Sequence, residues 1–207
     1  MATTTTNYGF DIPQSTDLVK DGATAIATLG QDIDTAMNTA LGTKKAGMVL
    51  LNTTSFSAVS SVSLAQDTFT STYDNYRILF QSETSATNNA NIRFRTSGSD
   101  NSTSNYNTQR ISADHTSITG FEQTGQTGAN ISSNNGGATA FCLIMDIFRP
   151  KLATPTQARI EVINGLDQRV EIYNAYFTAS TAFDSMSFIL NAAGTFSGTY
   201  SVYAYAK

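Results

Sequence analysis

The stretch QARIEVINGLDQRVEIYNAYFT, residues 157–178, contains two runs in which polar and apolar residues alternate. Alternation with a period of two is typical of a β-strand that has one buried face. The segment NGLD, 164–167, separates the two runs and has the composition of a tight hairpin turn. The stretch therefore predicts an antiparallel β-hairpin.

Strand patterns of this kind continue through most of residues 48–207. In DNYRILFQS, Tyr76, Ile78 and Phe80 share one face of the predicted strand. TAFCLIMDIFRP is apolar on both faces, which predicts a strand covered on both sides and ended by Pro150. Further predicted strands are GMVLLNTTSF, SAVSSVSLA, NIRFRTS, SMSFILN and GTYSVYAYAK. About ten short strands separated by turn residues predict a mainly β protein whose head, 48–207, is an antiparallel, jelly-roll-like β-sandwich.

A different period precedes the strands, in DGATAIATLGQDIDTAMNTALGTKKAG, 21–47. Apolar residues recur there at spacings of three and four, which predicts a helix from about residue 17 to residue 42. The candidate capping residues are Ser15, Thr16 and Asp17 at its start and Gly42 at its end.

The apolar stripe of this helix is narrow. It consists of Ile26, Leu29, Ile33, Met37 and Leu41. Its width is closer to a coiled-coil seam than to the broader face of a helix in a globular domain. An isolated helix of this length is marginal in water, and Gly22 and Gly30 weaken it further. We therefore expect residues 17–47 to form a helical, coiled-coil-like stem that associates with copies of itself. Packing on the chain's own β domain is the alternative.

Residues 1–16 start with a Thr-rich segment and continue as an alternating strip in which Tyr8, Phe10 and Ile12 are the apolar members. Pro13 follows and excludes a helix at that point. An extended apolar strip can add to the sheet edge or groove of another protein. The segment is therefore predicted to be an extended attachment arm, and a disordered tail is the alternative.

Composition limits the partners and the chemistry. Charged residues make up 14% of the chain, the formal net charge is −4, and Lys and Arg are not clustered. Nucleic-acid binding is not expected, because phosphate contacts need a basic face. The sequence has no apolar run of about 18 residues and no secretory signal, so membrane insertion is not expected. Cys142 has no cysteine partner in the chain and is interpreted as a small buried hydrophobic residue.

Candidate catalytic and metal-binding residues are few. The single histidine, His115, follows Asp114, and neighbours on a strand point to opposite faces. Glu161 and Glu171 lie among arginines, where cross-strand ion pairs are the ordinary interpretation. The polar segment SGSDNSTSNYN lacks the acidic density of a calcium loop. The sequence therefore predicts no catalytic residues, no metal site and no cofactor.

Three polar segments, 84–91, 97–108 and 120–138, are predicted to be loops. Loops on a rigid sandwich commonly carry binding function. Their amides and hydroxyls can pair with sugar hydroxyls, and an aromatic ring can stack on a sugar ring. The candidate receptor contacts are Asn105, Tyr106, Asn107, Phe121 and Gln123.

Four segments together resemble the small tail-fibre and virion appendage proteins of tailed bacteriophages, especially phages of aquatic bacteria. They are NYGFDIPQSTDLVKDGATAIATLGQDIDTAM, GMVLLNTTSFSAVSSVSL, FTSTYDNYRILFQ and SFILNAAGTFSGTYSVYAYAK. The resemblance implies a homotrimeric fibre with an N-terminal virion attachment, a helical stem and a β-sandwich head. In that organisation Tyr8, Phe10 and Ile12 form the attachment, and the helical stripe forms the trimerisation seam.

The sequence thus favours a non-enzymatic phage structural protein on the exterior of the virion, made in the cytoplasm of the host bacterium. Its expected partners are its own copies, other tail or portal-proximal virion proteins, and a host cell-surface glycan or protein. A connector or capsid decoration protein that binds only virion proteins is the second hypothesis. A glycan depolymerase is the third, and it requires two carboxylates close together in a cleft.

Overall fold

The computed structural model describes residues 3–6, 8–12, 19–39, 47–135, 140–164 and 169–206. These residues form two compact units, which divide between Gly47 and Met48. The chain is mainly β-strand with one helix.

The first unit begins with a short hairpin. Strands β1 (Thr3–Thr4) and β2 (Asp11–Ile12) pair in an antiparallel sheet. The backbone N–H of Phe10 donates to Thr5 Oγ1 at 2.9 Å, and the rings of Tyr8 and Phe10 stack with centroids 5.6 Å apart. The predicted extended arm is therefore wrong for these residues, because the Thr-rich start folds back and pairs with the aromatic strip. Pro13 lies outside the described residues.

Helix α1 runs from Val19 to Met37. It falls within the predicted range, and the candidate capping residues Ser15, Thr16, Asp17 and Gly42 lie outside the described residues, as does Leu41. Along the predicted stripe, Leu29 is half-buried, whereas Ile26, Ile33 and Met37 are 64%, 40% and 55% exposed. Within the described residues, most of the stripe is thus exposed.

The second unit contains the remaining strands. In chain order they are β3 (Met48–Val59), β4 (Ser61–Ser63), β5 (Asn75–Thr84), β6 (Asn88–Thr96), β7 (Ser99–Asp100), β8 (Tyr106–Asp114), β9 (Ser117–Gln126), β10 (Ala129–Asn135), β11 (Ala140–Phe148), β12 (Thr154–Asn164), β13 (Arg169–Thr181), β14 (Ser185–Leu190) and β15 (Phe196–Tyr205).

These strands form two antiparallel sheets in a sandwich-like arrangement. The larger, eight-stranded sheet has the order β3-β15-β5-β11-β12-β13-β8-β9. The smaller sheet has the order β10-β6-β14-β4, with β7 paired to β6. The predicted hairpin is confirmed, since β12 and β13 pair from Thr154 and Thr181 to Asn164 and Arg169. The chain passes repeatedly between the sheets, so neighbours in a sheet are often distant in sequence.

The core lies between the two sheets and is rich in aromatic side chains. Tyr76, Ile78 and Phe80 are fully buried on β5, as the alternation predicts. Phe80 stacks on Phe188 of the smaller sheet with ring centroids 4.1 Å apart. A second group joins the sheets further along and consists of Phe94, Tyr106, Phe177 and Phe183. Burial of each such side chain contributes on the order of 1.5–3 kcal/mol.

Two predictions about the strands are wrong. The segments 84–91 and 120–138 were predicted to be loops, yet 88–91 belong to β6 and 120–135 contain most of β9 and all of β10, because pairing with neighbours overrides their weak local propensity. The loop predicted at 97–108 is confirmed for 101–105, and its last three residues begin β8. Strand β11 was predicted to be covered on both sides. Only its inner face is buried, and Ile144 and Phe148 on its other face are exposed.

Gly198 on β15 leaves no room for a Cβ atom against the neighbouring strand β5. A Cβ atom at Gly198 would lie 2.0 Å from the backbone oxygen of Gln81 and 2.8 Å from Ser82 Cα. Backbone atoms in a sheet interior cannot move aside as a side chain can. The absence of a side chain at this position is therefore required for β15 to pair with β5.

We expect Gly198→Ala to lower the free energy of unfolding by about 1–3 kcal/mol or more, the usual cost of overpacking. Gly120→Ala on β9 is the matched control, because the nearest atom to its Cβ would be Arg110 O at 4.0 Å. Urea denaturation of both variants and the parent measures the difference. Equal stability of the two variants would contradict the proposed clash.

Candidate binding face

The eight-stranded sheet has one face toward the core and an outer face that the described residues leave open. Strand register arranges the side chains of the outer face in rows that run across the strands. Two of these, the polar rows, are Phe148–Gln157–Tyr176–Asn107 and Asp146–Arg159–Asn174–Gln109–Glu122. The next two, the apolar rows, are Ile144–Glu161–Ile172–Ile111 and Cys142–Ile163–Val170–Ala113–Ile118.

The apolar rows form an exposed patch that includes one charged residue, Glu161. Ile163 is 62% exposed and Ile118 is 78% exposed. Cys142, predicted to be buried, is only half-buried, because it lies on this outer face. Contiguous exposed apolar patches mark interaction surfaces more often than scattered ones do. The patch is therefore a candidate protein contact.

The outer face contains three recesses. One recess of about 310 Å³ is lined by Asn107, Thr108, Gln109, Glu122, Gln157, Asn174 and Tyr176. A second, of about 320 Å³, shares Gln109, Gln157 and Asn174 with it and is bordered by Ile111, Phe148 and Ile172. A third, of about 510 Å³, lies over the apolar rows near Leu79, Ile144 and Ile163. The polar rows and the apolar rows thus each form part of a groove.

An ion-pair cluster lies at the β5 end of the polar rows. Arg77 Nε and Nη2 donate to the two carboxylate oxygens of Asp146 at 2.7 and 2.6 Å, and the Tyr205 hydroxyl donates to Asp146 Oδ1 at 2.7 Å. Burial alone would raise the pKa of Asp146, but the hydrogen bonds from Arg77 and Tyr205 outweigh burial and hold the pKa below its usual value. Burial and the hydrogen bond to Asp146 raise the pKa of Tyr205.

A second ionic group lies on the core side of the same sheet. Glu171 is fully buried, its Oε1 lies 3.3 Å from Arg110 Nη1, and its Oε2 accepts a hydrogen bond from the Tyr173 hydroxyl at 3.0 Å. The cross-strand ion pair predicted for Glu171 is confirmed. The one predicted for Glu161 is wrong, because Glu161 pairs with Arg159 of its own strand at 2.9 Å. Since Glu161 and Glu171 face opposite sides of the sheet, they cannot flank one glycosidic bond.

The predicted receptor contacts do not come together on one surface. Tyr106 is fully buried, its hydroxyl accepts from Phe94 N and donates to Asn101 O, both at 2.9 Å, and burial raises the pKa of its phenol. The prediction that Tyr106 contacts a receptor is therefore wrong, since the alternation of β8 turns this ring into the core.

The other predicted contacts divide between the two faces. Asn107 lies on the outer face, and its Oδ1 accepts from Gly125 N at 2.9 Å. Phe121 and Gln123 lie on the opposite side of β9, where the Arg110 guanidinium stands 5.0 Å from the Phe121 ring centroid. Asn105 precedes β8, and its backbone oxygen accepts from Thr178 N at 2.9 Å. Receptor contact by these four residues stays a prediction.

His115 occupies the exposed turn between β8 and β9 with a φ of 52°. Its Nδ1 lies 2.5 Å from Asp114 Oδ1, and Arg169 Nη2 donates to Asp114 Oδ2 at 2.9 Å. The expectation that His115 and Asp114 point apart is wrong, because the turn redirects the imidazole toward its neighbour. The hydrogen bonds from His115 and Arg169 hold the pKa of Asp114 below its usual value.

Two further observations concern the described part of the chain alone. Its histidine, cysteine and acidic side chains form no group of three or more that is arranged to hold a metal ion. No helix within it combines the length and hydropathy needed to cross a membrane.

Sequence reasoning missed the polar rows on β8, β12 and β13. The alternating runs that predicted β12 and β13 include Gln157, Asn174 and Tyr176. The same alternation indicates that these three side chains face away from the core. Their convergence with Asn107 and Gln109 was not predicted, because only the start of β8 was assigned, as part of the loop 97–108, and the register of β8 with β13 depends on contacts distant in sequence.

Comparison with known proteins adds a distant likeness only. No protein-family model and no curated protein matches the chain. Among solved structures, the crystal structure of Caenorhabditis elegans galectin LEC-6 is similar over 79% of this chain and 99% of that chain, with 9% sequence identity and a TM-score of 0.30.

We expect Asp146→Asn to lower the free energy of unfolding at neutral pH by about 1–3 kcal/mol, because hydrogen bonds to a charged group are lost. A folded-state pKa below the ordinary value contributes stability above about pH 3.9, and this contribution is lost as the pH falls through the folded-state pKa. The difference from the parent should therefore shrink in acid. Urea denaturation over a pH series measures it.

Glu161→Gln is the control for this measurement, since the exposed Arg159–Glu161 pair should contribute less than about 1 kcal/mol. A stability difference for Asp146→Asn that is the same in acid as at neutral pH would contradict the assigned role of the carboxylate.

Proposed function

We propose that this chain is a non-enzymatic structural appendage protein of a tailed bacteriophage. In this proposal the first unit attaches the protein to the virion and associates it into a homotrimer. The second unit is the jelly-roll-like head, exposed on the exterior of the particle and adhering to the host surface. The proposal combines the sequence resemblance with the exposed features of both units.

The observation that carries the proposal is the uncovered stripe of α1. Ile26, Ile33 and Met37 are exposed on a helix that also contains Gly22 and Gly30. An isolated helix of this length is marginal in water, and the two glycines weaken it further. Association of three parallel copies into a coiled-coil stem would bury the stripe and would hold all heads at one end.

The attachment role is proposed for the hairpin of β1 and β2. Tyr8 is exposed, and it stacks on Phe10 beside Ile12, so the hairpin presents an aromatic surface of its own. A pre-formed aromatic surface can dock into a groove of another virion protein without first losing the conformational entropy of a flexible arm.

A specific observation favours the connector as the second candidate function. The apolar rows of the outer face expose isoleucines over neighbouring strands, and such a patch suits a protein partner better than a soluble glycan. Immunogold labelling of purified particles of the phage that encodes this chain distinguishes the two functions. An appendage head is accessible to antibody, whereas the head of an enclosed connector is not.

We expect the parent chain to be a trimer in light scattering and Ile33→Asp to be a monomer, because the variant places a charge in the seam of every copy. Thr35→Asp adds the same charge to an exposed position off the stripe and should leave the trimer intact. A monomeric parent, or equal masses for the two variants, would exclude the stem.

Deletion of residues 1–14 should leave a folded trimer that is no longer incorporated into particles. Thermal melting and light scattering check the fold and the assembly, and immunoblotting of purified particles measures incorporation. The pair Tyr8→Ala and Phe10→Ala in the full-length chain should give the same loss with fewer atoms removed. Normal incorporation of both variants would place the attachment elsewhere.

A further inference from the structure

The polar rows present hydrogen-bonding side chains that the rest of the described chain does not use. Gln157 is in register with Tyr176, and Asn174 is in register with Gln109. None of these four side chains forms a hydrogen bond with another described residue. They line the first recess together, so their donors and acceptors are directed into one shared space.

This recess is shallow and extends along the sheet face. Its volume of about 310 Å³ continues into the second recess of about 320 Å³ through the shared Gln109, Gln157 and Asn174. Phe148 and Tyr176 stand on either side of Gln157 in one row. Their strands are two apart, so the two rings are separated by about 10 Å, given strand spacings of about 4.8 Å. The rings thus span more than one sugar ring.

The groups in the recess have the chemistry that recognises a sugar. Each amide carries both donors and an acceptor, and a sugar hydroxyl also donates and accepts, so one amide can bind neighbouring hydroxyls. An aromatic ring covers the apolar C–H face of a pyranose. Ile111 and Ile172 border the second recess and extend this apolar surface.

Charge restricts the class of sugar. The cation of the polar rows, Arg159, is paired with Glu161 at 2.9 Å, and Arg77 on the adjacent strand β5 is paired with Asp146 at 2.6 Å. Glu122 contributes a negative charge to the lining and has no ion-pair partner among the described residues. An anionic sugar would meet a carboxylate and no free cation, whereas a neutral sugar meets amides and rings.

We infer that the polar rows form a binding site for a neutral oligosaccharide, with Gln109, Gln157 and Asn174 as hydrogen-bonding residues and Tyr176 as a stacking residue. This inference rests on the proposed host adhesion and moves its contact surface from the polar segments around β8 and β9 to the sheet face. A trimer presents three such sites, so a weak single-site affinity becomes useful through avidity.

The test uses the full-length chain and a printed array of neutral and anionic oligosaccharides. The parent should bind neutral members of the array. Gln157→Ala and Asn174→Ala should each weaken that binding by about tenfold, because each loses amide hydrogen bonds to the sugar. Gln81→Ala is the matched control, since Gln81 is a glutamine exposed on the same sheet face but far from the recess. Thermal melting confirms that all variants fold.

Adhesion to bacterial cells is measured with the same proteins. The two measurements together distinguish a failure of the oligosaccharide site from a failure of host adhesion. A parent that adheres to cells but binds no neutral oligosaccharide, or variants that bind the array as the parent does, would overturn the oligosaccharide site and leave adhesion standing. A parent that binds the array but adheres to no cells would overturn host adhesion and retain the site. Preferential binding of anionic members would overturn the assigned class of ligand.

Discussion

Contact between the inner faces of the two sheets is the constraint on which the rest of the second unit depends. Phe80 and Phe188 stack across it with ring centroids 4.1 Å apart, and Phe94 of β6 meets Phe177 of β13 edge to face further along with centroids 6.4 Å apart. Because side chains alternate along a strand, fixing these rings inward also fixes which residues of every paired strand face outward. The outer rows are therefore a consequence of the aromatic core and of the register that it selects.

This coupling explains why the outer face can hold both an apolar patch and a recess lined by polar side chains that do not bond to one another. The strands have no packing requirement on that side, so residues such as Ile163 and Gln157 lie there without a cost in core stability. The arginines nearby are paired, Arg77 with Asp146 and Arg159 with Glu161, so the polar rows carry little positive charge. In the described part of the chain, this face thus lacks the cluster of unpaired cations that phosphate contacts need.

Sequence analysis predicted the strands that have a strong local alternation of polar and apolar residues. It missed the strands that form only because neighbouring strands pair with them. The alternation around Tyr76 to Phe80 and the hairpin of β12 and β13 were readable from residue types. Strands β8, β9 and β10 were not, because Ser, Thr, Asn and Gly have weak strand propensity and become strands through their neighbours. Tyr106 shows the consequence: interpreted within a loop it is a contact residue, but within a paired strand it belongs to the core.

The order β3-β15-β5 places the last strand of the unit between two strands from its beginning. Thr53 Oγ1 and Ser201 Oγ, which share a hydrogen bond at 2.9 Å, are 148 residues apart in the chain. During synthesis, β3 and β5 leave the ribosome long before their common neighbour. Until the C-terminal segment arrives, β3 has no partner strand and β5 has an unpaired edge. A chain stalled or cut before Gly198 would therefore retain two open sheet edges, which makes premature termination an aggregation hazard as well as a loss of protein.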